Sequence, residues 1–319
     1  MPKFAYFRKK IVPFTEAKVS IMTHGLHYGT GVFEGIRGNW NEEEQQTFLF
    51  RVQEHYQRLL NNSRLLRMNV PYSADELTRI TIDLVKKEGI REDLYVRPII
   101  YTSSEALWVR LHDVEIDVNM MVIPWGPYLD PNKGQRVCIS PWRRPDDTMM
   151  PPGAKITGFY INSALARTDA HEKGFDESIL ETKEGYISEG SGENIFIVSR
   201  GQLITPPIYD SILRGITRES VIELASKELG LETVERHFRR SEAYLADEFF
   251  LTGTAAHITP VAEVDNYKIG GGKPGPITQK LQKLYFDAIY GRTPKYRKWC
   301  TPCYQKKPAV AKKPAKGKR

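Results

Sequence analysis

The chain has 319 residues, 40% hydrophobic and 27% charged, which is length enough for one large or two medium domains with a substantial core. No apolar run reaches the length of a membrane span, and the opening MPKFAYFRKKIVPF has no apolar stretch followed by a small-residue cleavage site, so a cytoplasmic protein is expected. The net charge of +7 belongs to one end: from Lys306 onward, KKPAVAKKPAKGKR holds seven of the 46 basic residues and no acid, leaving 39 basic against 39 acidic before it. A Lys/Pro/Ala segment of that kind cannot build a core, and it reads as a disordered, solubilising tail; nucleic-acid contact through it is the lesser reading. Three cysteines make no disulfide framework, and the C-x-x-C at Cys300–Cys303 lacks the second pair or the histidines that zinc requires. A bystander is preferred there to a redox pair.

In chain order, KFAYFRKKIVPF reads as a hairpin. THGLHYGTGVFEGIRG follows, rich in glycine among aromatic residues, a composition that lets backbone approach a ligand closely and that bulges and turns share. His24 and His27 lack the further ligands of a metal site and are taken as structural. TFLFRV is a strand, and from about Val52 a helix places Val52, Tyr56, Leu59 and Ser63 on one face. Ser73 and Glu76 form a capping box for a second helix, which Gly89 ends. DLYVRPIIYT reads as a buried strand carrying Tyr95 and Arg97. An arginine there requires an anion, from an internal carboxylate or from a substrate. VEIDVNMMVIPW is another strand, and the turn-rich LDPNKGQ after it marks an interdomain connection.

RVCIS opens a second set of strands, WRRPDDTMMPPG is irregular, and Ser163 to Lys173 is helical up to Gly174. SILET and YIS form a hairpin about a glycine turn, continued by NIFIVS. In GITRESVIELASKELG the first turn at Gly215, Ile216 and Thr217 offers free N–H groups to an anion, as every helix start does. EFFLTG is a strand leading into Thr254-Ala255-Ala256, small residues that leave backbone N–H groups accessible. GGGKPGP is a connector to the last helix, ITQKLQKLYFDAIYG. Two sets of mixed strands and helices argue for α+β architecture in two domains with a cleft between them.

The chemistry concentrates between Pro151 and Val198. Lys155 stands among small and apolar residues, where lost hydration disfavours the ammonium and favours a nucleophilic amine. The SEGSGEN turn presents Glu189 between two strand-like runs. A lysine able to form a Schiff base, opposite an acid suited to a pyridine nitrogen, points to pyridoxal phosphate chemistry.

Taken together, HYGTGVFEGIR (27–37), EHYQRL (54–59), YVRP (95–98), PWGPYL (124–129), GAKITGFYINSALA (153–166), GYISEGSGENIF (185–196), TPP (205–207), GITR (215–218) and GTAA (253–256) resemble the branched-chain amino acid aminotransferases. These are fold-type IV pyridoxal 5'-phosphate enzymes with a D-amino acid aminotransferase-like fold, and the likeness runs from about Phe4 to Arg292. It implies a small N-terminal α/β domain over 1–127, a connection over 128–135, a larger cofactor-binding domain over 136–299 and a basic tail over 300–319. It also implies an active site at the domain and subunit interface of a homodimer or higher homo-oligomer, with no metal.

The resemblance implies that Lys155 holds the cofactor as a Schiff base and then shuttles the substrate's Cα proton. Glu189 would face the ring nitrogen, Tyr160 the phenolic oxygen, and Leu213 the ring itself. Arg58, otherwise a solvated helix arginine, would bind phosphate with Gly215, Ile216, Thr217 and Thr254. On the substrate side, Phe33, Tyr28, Trp125 and Tyr128 would form apolar walls, with Tyr28 supplied across the subunit boundary. Tyr95 and Thr254-Ala255-Ala256 would take the α-carboxylate, and Arg97 the side-chain carboxylate of glutamate. Arg37 is placed with the substrate residues or as a brace for its loop, and Glu193 and Asn194 are structural loop residues.

The implied reaction is reversible amino transfer from L-leucine, L-isoleucine or L-valine to 2-oxoglutarate. D-amino acid transaminase, (R)-amine transaminase and aminodeoxychorismate lyase share the lysine and the acid, and the YVRP strand and the HYGTGVFEGIR loop favour the branched-chain reading over them. The chain departs from the pattern at Phe159, where many relatives carry Asn before the tyrosine, at Arg214, and in the basic tail.

Overall fold

The computed structural model describes residues 1–126, 129 and 133–304, and among these it builds two β-sheets flanked by helices. The first sheet runs in the order Cys300–Pro302, Gln46–Phe50, Ile36–Asn41, Leu94–Thr102, Ile116–Pro124, Phe4–Phe7, Lys10–Pro13, with Gly31–Phe33 also paired to Leu94–Thr102. The second runs Ile187–Gly190, Glu177–Glu181, Gln135–Arg143, His257–Val264, Glu248–Gly253, Asn194–Ser199, Gln202–Thr205, Thr233–Glu235, with Tyr267–Lys268 on His257–Val264.

The helices of the first sheet follow from their sequences. Val52, Tyr56, Leu59 and Ser63 are buried along helix Val52–Leu65. Helix Ala74–Glu88 starts on the expected box: Glu76 N donates to Ser73 Oγ at 3.2 Å and Ser73 N donates to Glu76 Oε2 at 2.8 Å. It ends at Gly89, whose φ of 69° suits a residue without Cβ.

Strand Leu94–Thr102 explains the break beside it. Pro98 O accepts from Glu34 N at 3.0 Å, but Pro98 has no N–H to return on that side. The neighbouring chain therefore pairs as two pieces, Gly31–Phe33 and Ile36–Asn41, and Glu34-Gly35 turns inward between them. These pieces, and the short helix His24–Tyr28, lie in a stretch that composition alone presented as a glycine-rich loop.

In the second sheet the parallel strands Gln135–Arg143 and Glu177–Glu181 are joined through helix Tyr160–Glu172. That strand reaches farther than RVCIS, and the helix starts at Tyr160 rather than Ser163, after a tight turn over Thr157–Phe159. Helices Ile216–Leu229 and Pro276–Ile289 bring Val221, Leu224, Leu281 and Tyr285 onto Phe196 and Phe250. Strand His257–Val264, absent from the sequence reading, occupies the middle of this sheet; it begins directly after the Thr254–Ala256 turn, with no polar break to announce it.

One boundary is corrected. The tail was expected from residue 300, yet Cys300–Pro302 pairs antiparallel with Phe48–Phe50, and Cys303 is buried in the core of the first sheet. KWCTPCY is apolar and aromatic, whereas the Lys/Pro/Ala composition starts only at Lys306, which lies outside the described residues. Cys138, Cys300 and Cys303 are all free and buried.

Candidate active site

The loop bearing Lys155 is held against the first sheet. Lys155 O accepts from Phe33 N at 3.1 Å, Thr157 Oγ1 donates to Gly29 O at 2.6 Å, and Gly158 N donates to the same carbonyl at 3.0 Å. A Cβ on Gly29, whose φ is 62°, would come within 2.7 Å of Gly158 Cα. The glycine-rich segment thus approaches the lysine loop, and Ala154, Ile156 and Phe159 join the core of the first sheet.

Lys155 Nζ lies 2.5 Å from Tyr160 Oη and 5.1 Å from the centre of the Phe33 ring, which packs edge-on to Tyr160 at 4.8 Å. Burial lowers the lysine's proton affinity as expected, but Tyr160 and Glu34 raise it further, so the net direction is upward. In the protein alone, the pull of Tyr160 and Glu34 thus outweighs the effect of burial that the sequence led one to expect.

Glu189 closes the other end of the cavity. Its Oε1 is 2.6 Å from Arg144 Nη2, and its Oε2 accepts from Asn194 Nδ2 and Leu213 N, each at 3.0 Å. Burial pushes its carboxyl above the ordinary range, against the pull of Arg144 and the Leu213 N–H. Asn194 also donates to Leu213 O at 2.9 Å, and a Cβ on Gly215 would overlap Asn194 Oδ1. Asn194, read from sequence as a loop residue only, therefore ties the acid to the start of the next helix.

That helix, Ile216–Leu229, opens on Gly215 with no side chain capping its first turn, in contrast to the box at Ser73. Gly215, Ile216, Thr217 and Thr254 line the cavity at this end, so uncapped N–H groups and hydroxyls meet there. Such an end fits a phosphate.

Arg58 borders the same space with part of its fork already engaged. Nε and Nη2 donate to Glu34 at 2.6 and 2.8 Å, and Nη1 donates to Arg214 O at 2.7 Å. Two of its five N–H groups are left for an anion. Glu34, fully buried and 2.7 Å from His55 Nδ1, was missed by sequence reasoning. Burial would raise its carboxyl, but Arg58 and His55 hold it well below the usual carboxylate range. An acid next to the glycine of FEG, one strand away from a proline, was the available signal.

Tyr95 lines the cavity and its Oη accepts from Arg97 Nη2 at 3.2 Å, with the guanidinium 4.7 Å from the Phe33 ring centre; Arg97, Phe33 and Trp125 do not themselves border the cavity within this chain. Arg97 Nε is buried without a hydrogen-bond partner, and among the described residues Arg97 forms no ion pair with a carboxylate. The internal-carboxylate alternative for Arg97 thus finds no partner among the described residues. Trp125 packs on Tyr95 at 5.4 Å between ring centres.

Ala255 lines the cavity, while Ala256 is buried behind it. Tyr28 does not border the cavity within this chain; it sits half-buried beside His24, 4.7 Å between ring centres. Tyr128 lies outside the described residues.

Arg37 is a brace. Nη1 and Nη2 donate to Trp125 O at 2.5 Å and Gly126 O at 2.9 Å, and Nε and Nη2 donate to Thr254 O at 3.3 Å and Ala255 O at 3.4 Å. It pins the end of the first half of the chain to the Thr254 turn, with its donors spent on carbonyls rather than aimed into the cavity. His24 is likewise structural, held by Thr102 and Trp108 O.

Comparison with known proteins agrees with this geometry. The family Amino-transferase class IV matches residues 31–264. A probable branched-chain-amino-acid aminotransferase of Aquifex aeolicus is 52% identical over 303 residues, 95% of this chain and 97% of that protein. The crystal structure of the branched-chain aminotransferase of Thermoproteus uzoniensis with norvaline superposes with a TM-score of 0.91 at 42% identity, over 95% of this chain and 100% of that one. The PLP-form of the branched-chain amino acid aminotransferase from Thermobaculum terrenum does so at 0.91 and 38% identity, over 95% and 99%. Both the full-length likeness and the lysine–acid cavity lead to one statement: the chain belongs to the class IV aminotransferases, in the branched-chain-amino-acid aminotransferase family.

Proposed function

We propose that this pyridoxal 5'-phosphate-dependent aminotransferase moves an amino group reversibly between L-leucine, L-isoleucine or L-valine and 2-oxoglutarate, giving the branched 2-oxo acid and L-glutamate. The observation that carries the reading is one cavity holding Lys155 beside Tyr160 at one end, Glu189 at the other, and an uncapped helix start at its floor.

Lys155, Tyr160, Glu189 and Leu213 would hold the cofactor's ring end, and Arg58, Gly215, Ile216, Thr217 and Thr254 its phosphate. Bound there, the cofactor supplies an aldehyde for exchange of the amino group and a ring that takes up an electron pair from the substrate's Cα. Lys155 Nζ carries the Cα proton away and returns it, with the Tyr160 hydroxyl positioned to share its charge. Glu189 offers a carboxylate to a protonated ring nitrogen. Phe33, Tyr95 and Trp125 exclude water from an aliphatic side chain, and the backbone at Thr254 and Ala255 receives the α-carboxylate. Arg97 accepts the side-chain carboxylate of glutamate, so that one pocket serves both an apolar and an acidic substrate.

The working unit is a homodimer or a larger homo-oligomer with Tyr28 facing the partner's pocket. Support comes from an exposed apolar strip beside Tyr28: Ile21, Leu26, Leu107 and Val109 are 82%, 63%, 57% and 87% exposed. The two stretches are joined by pairing of Thr23 with Glu105 and by His24 Nε2 bonded to Trp108 O at 2.9 Å. Residues 1–127 and 136–299 are assigned as the two domains, with the strand after Trp299 returning to the first. Among the described residues no helix is long and apolar enough to cross a membrane, and a cytoplasmic setting suits three cysteines left unpaired.

An absorption spectrum of purified protein before and after L-leucine, followed by a panel of L- and D-amino acids and (R)-amines, tests the reading. Loss of the visible band with L-leucine and turnover with 2-oxoglutarate are expected. Strong D-alanine turnover with none on L-leucine overturns it.

A further inference from the structure

Arg144 is a buried cation that no motif announced. It follows the last residue of strand Gln135–Arg143 and is 5% exposed. Three contacts besides its backbone fix it. Nη2 meets Glu189 Oε1 at 2.6 Å, Nε donates to Ser211 O at 3.2 Å, and the guanidinium lies 4.2 Å from the centre of the Phe159 ring. Its backbone N–H donates to Glu181 O at 2.9 Å, anchoring the turn to the sheet.

We propose that Arg144 is a positioning residue for the reaction: by ion-pairing with Oε1 while stacking on Phe159, it keeps the Glu189 carboxylate anionic and aimed into the cavity. The inference rests on the reading of Glu189 given above. A carboxyl this deeply buried favours its neutral form unless a cation lies within contact distance. Lys155 and Arg58 act on the same carboxylate from across the cavity and Glu193 acts from the same loop, but among the charged groups of the described residues only Arg144 is in ion-pair contact with it. Oε2 is already held by Asn194 and Leu213 N, so the charge of Arg144 decides what the other oxygen presents.

Phe159 gains a role here. The ring before the cavity tyrosine forms a flat wall for a planar guanidinium. A lysine at 144 reaches the carboxylate with a point charge, but it loses the fork that bonds Glu189 and Ser211 together.

The test uses Arg144→Lys, Arg144→Met, Glu189→Gln and the Arg144→Met/Glu189→Gln double variant. It measures the Kd of the cofactor-stripped protein for pyridoxal 5'-phosphate and the pH midpoint of the holoenzyme's visible absorption. Arg144→Met is expected to weaken binding at least about tenfold, to shift the midpoint, and to lower kcat for L-leucine more than it changes KM. Arg144→Lys is expected to recover part of each loss. On the Glu189→Gln background, Arg144→Met should change Kd by less than about twofold, since the group it acts through is gone. Multiplying effects, or a wild-type Kd and midpoint in Arg144→Met, overturn the proposal. If Arg144→Met does not fold, Arg144→Lys decides: a displaced midpoint supports the role and an unchanged one overturns it. Wild-type binding in Glu189→Gln sinks the reading of Glu189 itself, and this inference with it, whereas a weakened Glu189→Gln beside a wild-type-like Arg144→Met sinks the inference alone.

Discussion

The hydroxyl of Tyr95 occupies the place where a side chain on Gly35 would begin. Gly35 follows Glu34 at the gap that Pro98 opens in the neighbouring strand, so the gap and the tyrosine form one device. Gly35→Ala is expected to push Tyr95 away from Arg97, raise KM for both amino acid and oxo acid, and cost about 1–3 kcal/mol of stability, the usual penalty of overpacking. Steady-state kinetics and urea unfolding of the variant check both.

Lys155→Ala is expected to abolish transamination and the visible absorption of the bound cofactor. The fold should persist, because the loop around Lys155 is held by Phe33 N, Gly29 and the buried Ile156 rather than by the amine. Circular dichroism with a single-turnover assay separates the two outcomes. Retained turnover would count against the assigned role.

Arg97→Ala is expected to slow the half-reaction with glutamate about 10- to 100-fold more than the half-reaction with leucine, the value of a hydrogen-bonded charge to an anionic side chain. The guanidinium's neighbours are rings and a hydroxyl, with one N–H left bare, which is why the loss should track the acidic substrate. Rapid mixing with each amino acid reads the ratio, and equal losses would make Arg97 a structural residue.

Glu193 gives a signature in stability against pH. Burial, with the nearby Glu177, pushes its carboxyl from 4.5 up to about 8. The folded chain therefore holds this proton more tightly than the unfolded one. The group's stabilising contribution is complete below pH 4.5 and is lost as pH rises towards 8. Glu193→Gln keeps the shape without the ionisation, so its stability should fall less with pH across that window. The slope removed is at most about 1.4 kcal/mol per pH unit, the limit for one proton. Denaturant unfolding at several pH values measures it.

A chain ending at Trp299 should unfold at lower urea than one ending at Tyr304, by about 1.5–3 kcal/mol, the value of a buried apolar side chain such as Cys303 together with its strand pairing. Identical midpoints would show that the pairing of Cys300–Pro302 contributes nothing.

What could be read before folding was largely what repeats or stands alone. The helix from Val52 has its buried stripe written at helical spacing, and the box at Ser73 announces the next helix, so both were legible. Lys155 stood out as a lysine among small residues, whereas the SEGSGEN turn carries two acids, Glu189 and Glu193, and the family resemblance singled out the first. Arg144 and Glu34 were not legible, because each is a charge in an unremarkable stretch whose meaning comes from a partner far along the chain, 45 residues on to Glu189 and 24 on to Arg58. Strand His257–Val264 was hidden by the turn that leads straight into it. The role of Arg37 turned on which carbonyls lay within reach, a matter of tertiary distance rather than residue type.

The strand Cys300–Pro302 has a consequence for synthesis. It completes the edge of a sheet whose other strands all lie before residue 125, and it leaves the ribosome only after the entire second sheet has emerged. Until then Gln46–Phe50 presents open backbone groups along one side. The edge of the first sheet therefore closes only once the sequence of the second sheet has been made.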